Sequence, residues 1–149
     1  MNKIDAELIR LLQENSRATI SELSKKLALS RPSIQERIAK LQEKNIIQEF
    51  TARISLPAVG RDMLLFIHLG SLKQSASVVE DMIKNDPDVL ECYRVTGEYD
   101  YIIKAAVPNV DGMRKLVDRL MPLGDVNTSV SILSLIPYRH ISVTTENTP

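Results

Sequence analysis

The sequence predicts an α+β chain of two parts, an N-terminal winged helix-turn-helix and a C-terminal ferredoxin-like βαββαβ domain. Three observations predict it. Residues 20–41 carry two short amphipathic patterns joined by a tight turn, with Ile20, Leu23 and Leu27 on the first and Ile34, Ile38 and Leu41 on the second. After residue 62, strand-like and helix-like patterns follow one another in the order strand, helix, strand, strand, helix, strand. Between the two parts, Leu56-Pro57-Ala58-Val59-Gly60 interrupts every periodic pattern. The expected division is residues 1–54 for the first domain, 55–61 for a linker and 62–149 for the second.

In the first domain, Ile4, Leu8, Leu11 and Leu12 predict a helix over residues 3–15. Thr19 and Glu22 have capping-box spacing and start the second helix. Leu29 sits in the turn, where it can plug the angle between helices. Ser30 is placed to cap the third helix, whose first turn tolerates Pro32. Asn45 accepts a left-handed backbone and ends that helix. Residues 46–54, with Ile46, Ile47, Phe50 and Thr51, are expected to form a strand, the wing.

The second domain opens with Met63-Leu64-Leu65-Phe66-Ile67-His68-Leu69, a nearly unbroken apolar strand. A helix over 75–84, strands over 89–96 and 101–107, a helix capped by Asn109 and a strand over 126–136 follow. A short edge strand is expected at 138–144 and a frayed end at 146–149. Two helices cover only one face of such a sheet, yet strands 63–69 and 101–107 are apolar on both faces. The second face requires a cover, and the simplest is the same sheet of another subunit, so a homodimer is expected.

Charge separates the two parts. The chain is neutral overall, but residues 1–50 carry a net +2 and residues 51–149 a net −2. Between Lys25 and Lys44 six Lys or Arg stand against two Glu. Arg31 in the first turn of the third helix opposes the helix dipole, a small cost that a phosphate partner offsets. Lys25, Lys26, Ser30, Arg31, Ser33, Arg37, Lys40 and Lys44 are therefore the candidate contacts to double-stranded DNA. Arg31, Ser33 and Arg37 are placed for base edges or adjacent backbone, and the lysines for phosphates. A structural three-helix bundle with a solvated basic face is the alternative. The combination of amphipathic pair, turn spacing, cap and charge placement favours DNA.

Other chemistry has little to stand on. Cys92 is the only cysteine, so no internal disulfide forms, and it reads as a half-buried strand residue in a reducing compartment. His68 and His140 belong to no metal-ligand pattern. No nucleophile–base pair or phosphate loop is present, so neither catalysis nor a cofactor is expected. With no apolar run of about 20 residues and no signal-peptide core at the start, the expected location is the cytoplasm, without membrane contact.

The whole chain resembles the Lrp/AsnC family of feast/famine transcription regulators. The resemblance rests on Leu27-Ala28-Leu29-Ser30 running into Arg37-Ile38-Ala39-Lys40-Leu41, on Ile46-Ile47-Gln48-Glu49-Phe50-Thr51-Ala52, and most of all on Val95-Thr96-Gly97-Glu98-Tyr99-Asp100-Tyr101. It implies a DNA-binding regulator whose second domain dimerises through its sheet. It further implies dimers that often assemble into octamers, with amino acids binding in clefts between dimers. Gly97, Glu98, Tyr99 and Asp100 match the family's effector loop, and Thr128 and Ser129 match the polar start of the last strand. Gly97 would let backbone amides approach a carboxylate, and Glu98 or Asp100 could accept from an α-ammonium. The same loop also reads as a plain hairpin turn. The chain departs from the family at Ala28 and Asn45, where glycine is usual. An architectural DNA-wrapping protein without effector remains an alternative function. A more distant one is a decarboxylase acting on sirohaem, a scaffold similar in architecture, for which only His68 and His140 could serve.

Overall fold

The computed structural model describes residues 1–143, so the frayed end expected at 146–149 lies outside it. Contacts gather the described residues into two units, residues 1–53 together with 136–143, and residues 54–135.

The first unit is built from α1 (Lys3–Glu14), α2 (Ile20–Leu27) and α3 (Arg31–Glu43). Each start is capped as its sequence dictates. Asn2 Oδ1 accepts from the Asp5 amide at 2.7 Å. Thr19 and Glu22 cap each other reciprocally, and Ser30 Oγ accepts from the Ser33 amide at 3.3 Å. Leu8, Leu11, Leu12, Leu23, Ile34 and Leu41 are buried at the centre, and Leu29 packs against them from the turn.

The expected strand at 46–54 does not form. Asn45 adopts φ +54°, and the amides of Ile46 and Ile47 both donate to the Leu41 carbonyl, at 2.9 and 3.1 Å. Those amides close the end of α3, Ile47 turns onto the core, and no strand among the described residues pairs with residues 48–54. The wing expected from residue types is thus an irregular segment.

The tail also differs from expectation. Residues 138–143 form no strand, and the segment from Ile136 groups with the first unit instead of the second. The Gln13 amide grips the Ile141 backbone in both directions, donating at 3.0 Å and accepting at 2.8 Å. Arg53 donates to the Pro137 carbonyl at 3.0 Å and lies 4.4 Å from the Tyr138 ring centroid.

The second unit begins with a 3₁₀ turn (Pro57–Val59). It continues with β1 (Met63–Gly70), α4 (Ala76–Lys84), β2 (Val89–Arg94), β3 (Tyr101–Val107), α5 (Val110–Leu120) and β4 (Asp125–Val130). The sheet is antiparallel throughout, in the order β2-β3-β1-β4, the βαββαβ arrangement. Strand alternation sends Leu65, Ile67 and Leu69 of β1 and Tyr101, Ile103 and Ala105 of β3 to one face. There they bury against Val79 and Ile83 of α4 and Leu116 and Leu120 of α5.

Two strands are shorter than their patterns. β4 ends at Val130 instead of 136 because the Ser131 amide makes the last bond, to Leu64, and β1 begins one residue before that partner. Ile132, Leu133 and Leu135 consequently stand exposed. β2 ends at Arg94 instead of 96, with the Val95 amide making the last in-register bond, to the Asp100 carbonyl at 2.9 Å.

The uncovered face of the sheet carries Leu64, Phe66 and His68 of β1 with Ile102 and Lys104 of β3. Tyr93 and Glu91 of β2 lie on the same side, where Glu91 accepts from Lys104 Nζ at 2.7 Å and from the Tyr93 hydroxyl at 2.8 Å. Those hydrogen bonds, Lys104 first, hold the Glu91 carboxyl below its ordinary value.

Candidate functional site

Two groups of residues carry functional expectations, one in each unit. In the first unit the helix-turn-helix is α2 and α3. Ala28, in the turn between them, has φ +52° and ψ +42°, a left-handed backbone that a residue with a Cβ adopts under strain. Arg31 is exposed at the start of α3 and donates to Ser21 Oγ at 3.1 Å, tying the two helix starts together. Ser30 is engaged as the cap. Lys25, Lys26 and Lys44 are exposed.

Lys40 pairs with Glu36 one turn earlier at 2.6 Å, both well exposed. Their hydrogen bond lowers the Glu36 carboxyl and raises the Lys40 ammonium from ordinary values. Exposed i,i+4 pairs of this kind are weak and screened by solvent, so Lys40 is readily given up to a phosphate.

Arg37 differs from the rest. It donates to Asp5 Oδ1 across to α1 at 2.7 Å, and both side chains are mostly covered. Ser33, Arg37, Lys40 and Lys44 line a groove between α3 and the start of α1, with Asn2 and Asp5 on the other wall. Gln35 and Ala39, by contrast, are exposed on the outward side of α3. Sequence reasoning passed over Asp5, Ser21 and Gln35. The Asp5–Arg37 pair spans 32 positions, and no local spacing signals it.

In the second unit the loop between β2 and β3 holds Gly97, Glu98, Tyr99 and Asp100. Gly97 has φ +120°, a backbone that only glycine adopts without strain. The Asp100 amide donates to the Leu69 carbonyl at 3.0 Å, pinning the loop against the end of β1. A Cβ on Gly70 would stand 3.4 Å from Tyr99 Cδ1, so the absence of a side chain there lets the ring approach.

The Tyr99 ring lies 4.8 Å from that of His68, tilted by 34°. By register, His68 pairs with Asn127 and Phe66 with Ser129 on β4, which puts Ser129 on the same uncovered face. Thr128 pairs with Ile67 and projects to the helix-covered face. The structure therefore brings the loop to His68, beside Asn127 of β4, and places Ser129 further along the same face and Thr128 on the other. His68, which the sequence offered only to the distant decarboxylase reading, reaches the loop because strand alternation sets it opposite Ile67 and Leu69.

Comparison with known proteins agrees with both halves. A family model for the AsnC-type helix-turn-helix domain matches residues 1–42, and one for the Lrp/AsnC ligand binding domain matches residues 64–141. The HTH-type transcriptional regulator FL11 of Pyrococcus horikoshii is 31% identical over 139 residues, 93% of this chain and 92% of that protein. A transcriptional regulator of Neisseria meningitidis, solved as a complex with L-methionine, superposes with a TM-score of 0.84 at 27% identity over 97% of this chain and 96% of its own. A feast or famine regulatory protein of Mycobacterium tuberculosis, also complexed with L-methionine, gives 0.88 at 26% identity over 95% and 99%. The chain belongs to the Lrp/AsnC family of helix-turn-helix transcription regulators.

Proposed function

We propose that this protein regulates transcription as a homodimer, or a larger assembly of dimers, that binds DNA through α3 and responds to an amino acid held near the loop 97–100. The observation that carries the reading is the uncovered sheet face, where Phe66 and Tyr93 remain 39% and 56% exposed beside Leu64 and Ile102. An apolar face of this kind favours burial against a second copy. A twofold axis through that contact gives two recognition helices for a near-palindromic site.

Lys25, Lys26, Lys40 and Lys44 serve as phosphate contacts, with Arg31 and Ser33 nearer the bases. Gly97, Glu98, Tyr99, Asp100 and Ser129 hold the effector, and two structural relatives bound to L-methionine support its chemical class. A carboxylate suits the exposed loop amides beside Gly97, and an α-ammonium suits Glu98 or Asp100.

The test is fluorescence anisotropy of the full chain on duplex DNA from upstream of its own gene, across a salt series and an amino-acid panel. Expected are binding tighter than to a scrambled duplex, a steep fall with salt, and a shift in affinity with at least one amino acid. Sequence-indifferent binding unaffected by any amino acid overturns the effector reading in favour of DNA packaging. Elution as a monomer at micromolar concentration overturns the sheet-mediated dimer.

A further inference from the structure

Among the cations of α3, Arg37 is the one turned inward. It follows Ile34 by three positions and precedes Leu41 by four, so it borders the buried stripe of the helix. Its side chain is 28% exposed and that of its partner Asp5 21%, against 61% for Lys40. Its Nε is sealed from solvent with no acceptor in reach among the described residues. An arginine held ready for a phosphate keeps its donors in water, whereas a fold that leaves one donor dry and unpaired has committed that side chain elsewhere.

We propose that the Asp5–Arg37 pair sets the angle at which α3 is presented to DNA, and that Arg37 acts through Asp5 instead of by contacting DNA. The inference rests on α3 being the recognition helix. Leu8, Leu11, Ile34 and Leu41 share one apolar core, and among the described residues Asp5–Arg37 is the one polar side-chain contact between α1 and α3. That charge-assisted hydrogen bond, 2.7 Å long, runs from the first turn of α1 to the middle of α3 and adds direction to the apolar packing. The capped first turn holds Asp5 in place, because Asn2 Oδ1 accepts from the Asp5 amide. Asp5 is thus a positioning residue for DNA recognition although it is an anion beside the DNA-binding face.

That sign makes the proposal testable. The probes are the duplex bound best from a randomised pool and a scrambled duplex. The proteins are full-length wild type, Asp5→Asn, Arg37→Ala and the exchanged pair Asp5→Arg with Arg37→Asp. Positioning predicts that Asp5→Asn weakens binding to the selected duplex about tenfold, although it removes a negative charge. It also predicts reduced discrimination against the scrambled duplex, a salt slope that Arg37→Ala leaves unchanged, and partial rescue by the exchange. A phosphate contact predicts the opposite: Asp5→Asn binds as well as or better than wild type, and Arg37→Ala lowers the slope by about 0.9. Unchanged binding in Asp5→Asn overturns the proposal as well. If Arg37→Ala fails to fold, the near-isosteric Asp5→Asn still decides. If the wild type binds neither duplex, the recognition-helix reading fails first.

Discussion

Tyr99 lies with its ring 4.8 Å from that of His68, joining the loop 97–100 to the near end of β1 on the uncovered sheet face. A tilted aromatic pair of this kind contributes about 0.5–1.5 kcal/mol beyond the area it buries. It also gives the loop a direct mechanical connection to the surface on which a second subunit would sit.

Replacing Tyr99 by alanine is expected to abolish most of the rise in Tm produced by the best ligand of a twenty-amino-acid panel, while ligand-free DNA affinity stays within about twofold. His68→Ala should reproduce part of the loss without touching the ligand. Differential scanning fluorimetry with and without amino acid checks both. A full ligand shift retained in both variants would remove this pair from the effector's path.

Ala28 holds a left-handed backbone at φ +52° in the turn of the helix-turn-helix. Glycine there relieves the Cβ clash and loses part of the gain to its freer unfolded chain, so Ala28→Gly should stabilise the first unit by about 0.5–1 kcal/mol. Asn45→Gly, at φ +54°, should give less, since asparagine tolerates this conformation better. Urea unfolding followed by far-ultraviolet circular dichroism measures both.

Asp88 is gripped by two arginines. Arg61 bonds it and also donates to the Ala106 carbonyl at 2.8 Å, while Arg119 reaches it at 2.6 Å and holds Asp86 with two further bonds. Burial pushes the Asp88 carboxyl up, but the Arg119 and Arg61 hydrogen bonds outweigh it and hold the group below its ordinary 3.8. A carboxyl lowered in the folded state contributes stability that is fully present above the unfolded value and lost as pH falls through the folded one. Asp88→Asn should therefore cost about 1–3 kcal/mol at neutral pH, and the gap to wild type should close below pH 3.8. Thermal unfolding over an acid series reads the closure.

Gly124 packs so tightly that a Cβ would stand 2.5 Å from the Gly70 carbonyl oxygen and 3.1 Å from Leu69 Cδ1. The obstacle is backbone, which cannot swing aside as a side chain would. Gly124→Ala should destabilise the second unit by about 1–3 kcal/mol or displace the start of β4. The urea midpoint measures the first outcome. The exchange rate of the Lys73 amide, which donates to Leu123, reports the second.

The sequence was legible wherever local pattern encodes the structure. Helix starts at Thr19, Ser30 and Asn109 follow from single polar residues bonding amides three positions on, and strand faces follow from alternation. The failures share one cause. Residues 46–54 and 131–136 have strand composition, but a strand requires a partner, and composition says nothing about where the partner ends. Of the candidate DNA contacts, Lys25, Lys26 and Lys44 are exposed, which a phosphate contact requires. Arg37 is instead paired with Asp5, 32 positions away, which no local pattern signals. The loop at 97–100 was visible through its resemblance, while its link to His68 depended on which way a strand faces.

Cys92 is exposed, but its thiol is pushed up by the atoms that crowd it and by the nearby Glu80 carboxylate. Only the thiolate reacts readily with peroxides and disulfides, so this sulfur is a slow nucleophile at neutral pH. Oxidants meet a poorly responsive sulfur here, while its being the sole cysteine makes Cys92 a single attachment point for a maleimide dye, labelled slowly at neutral pH.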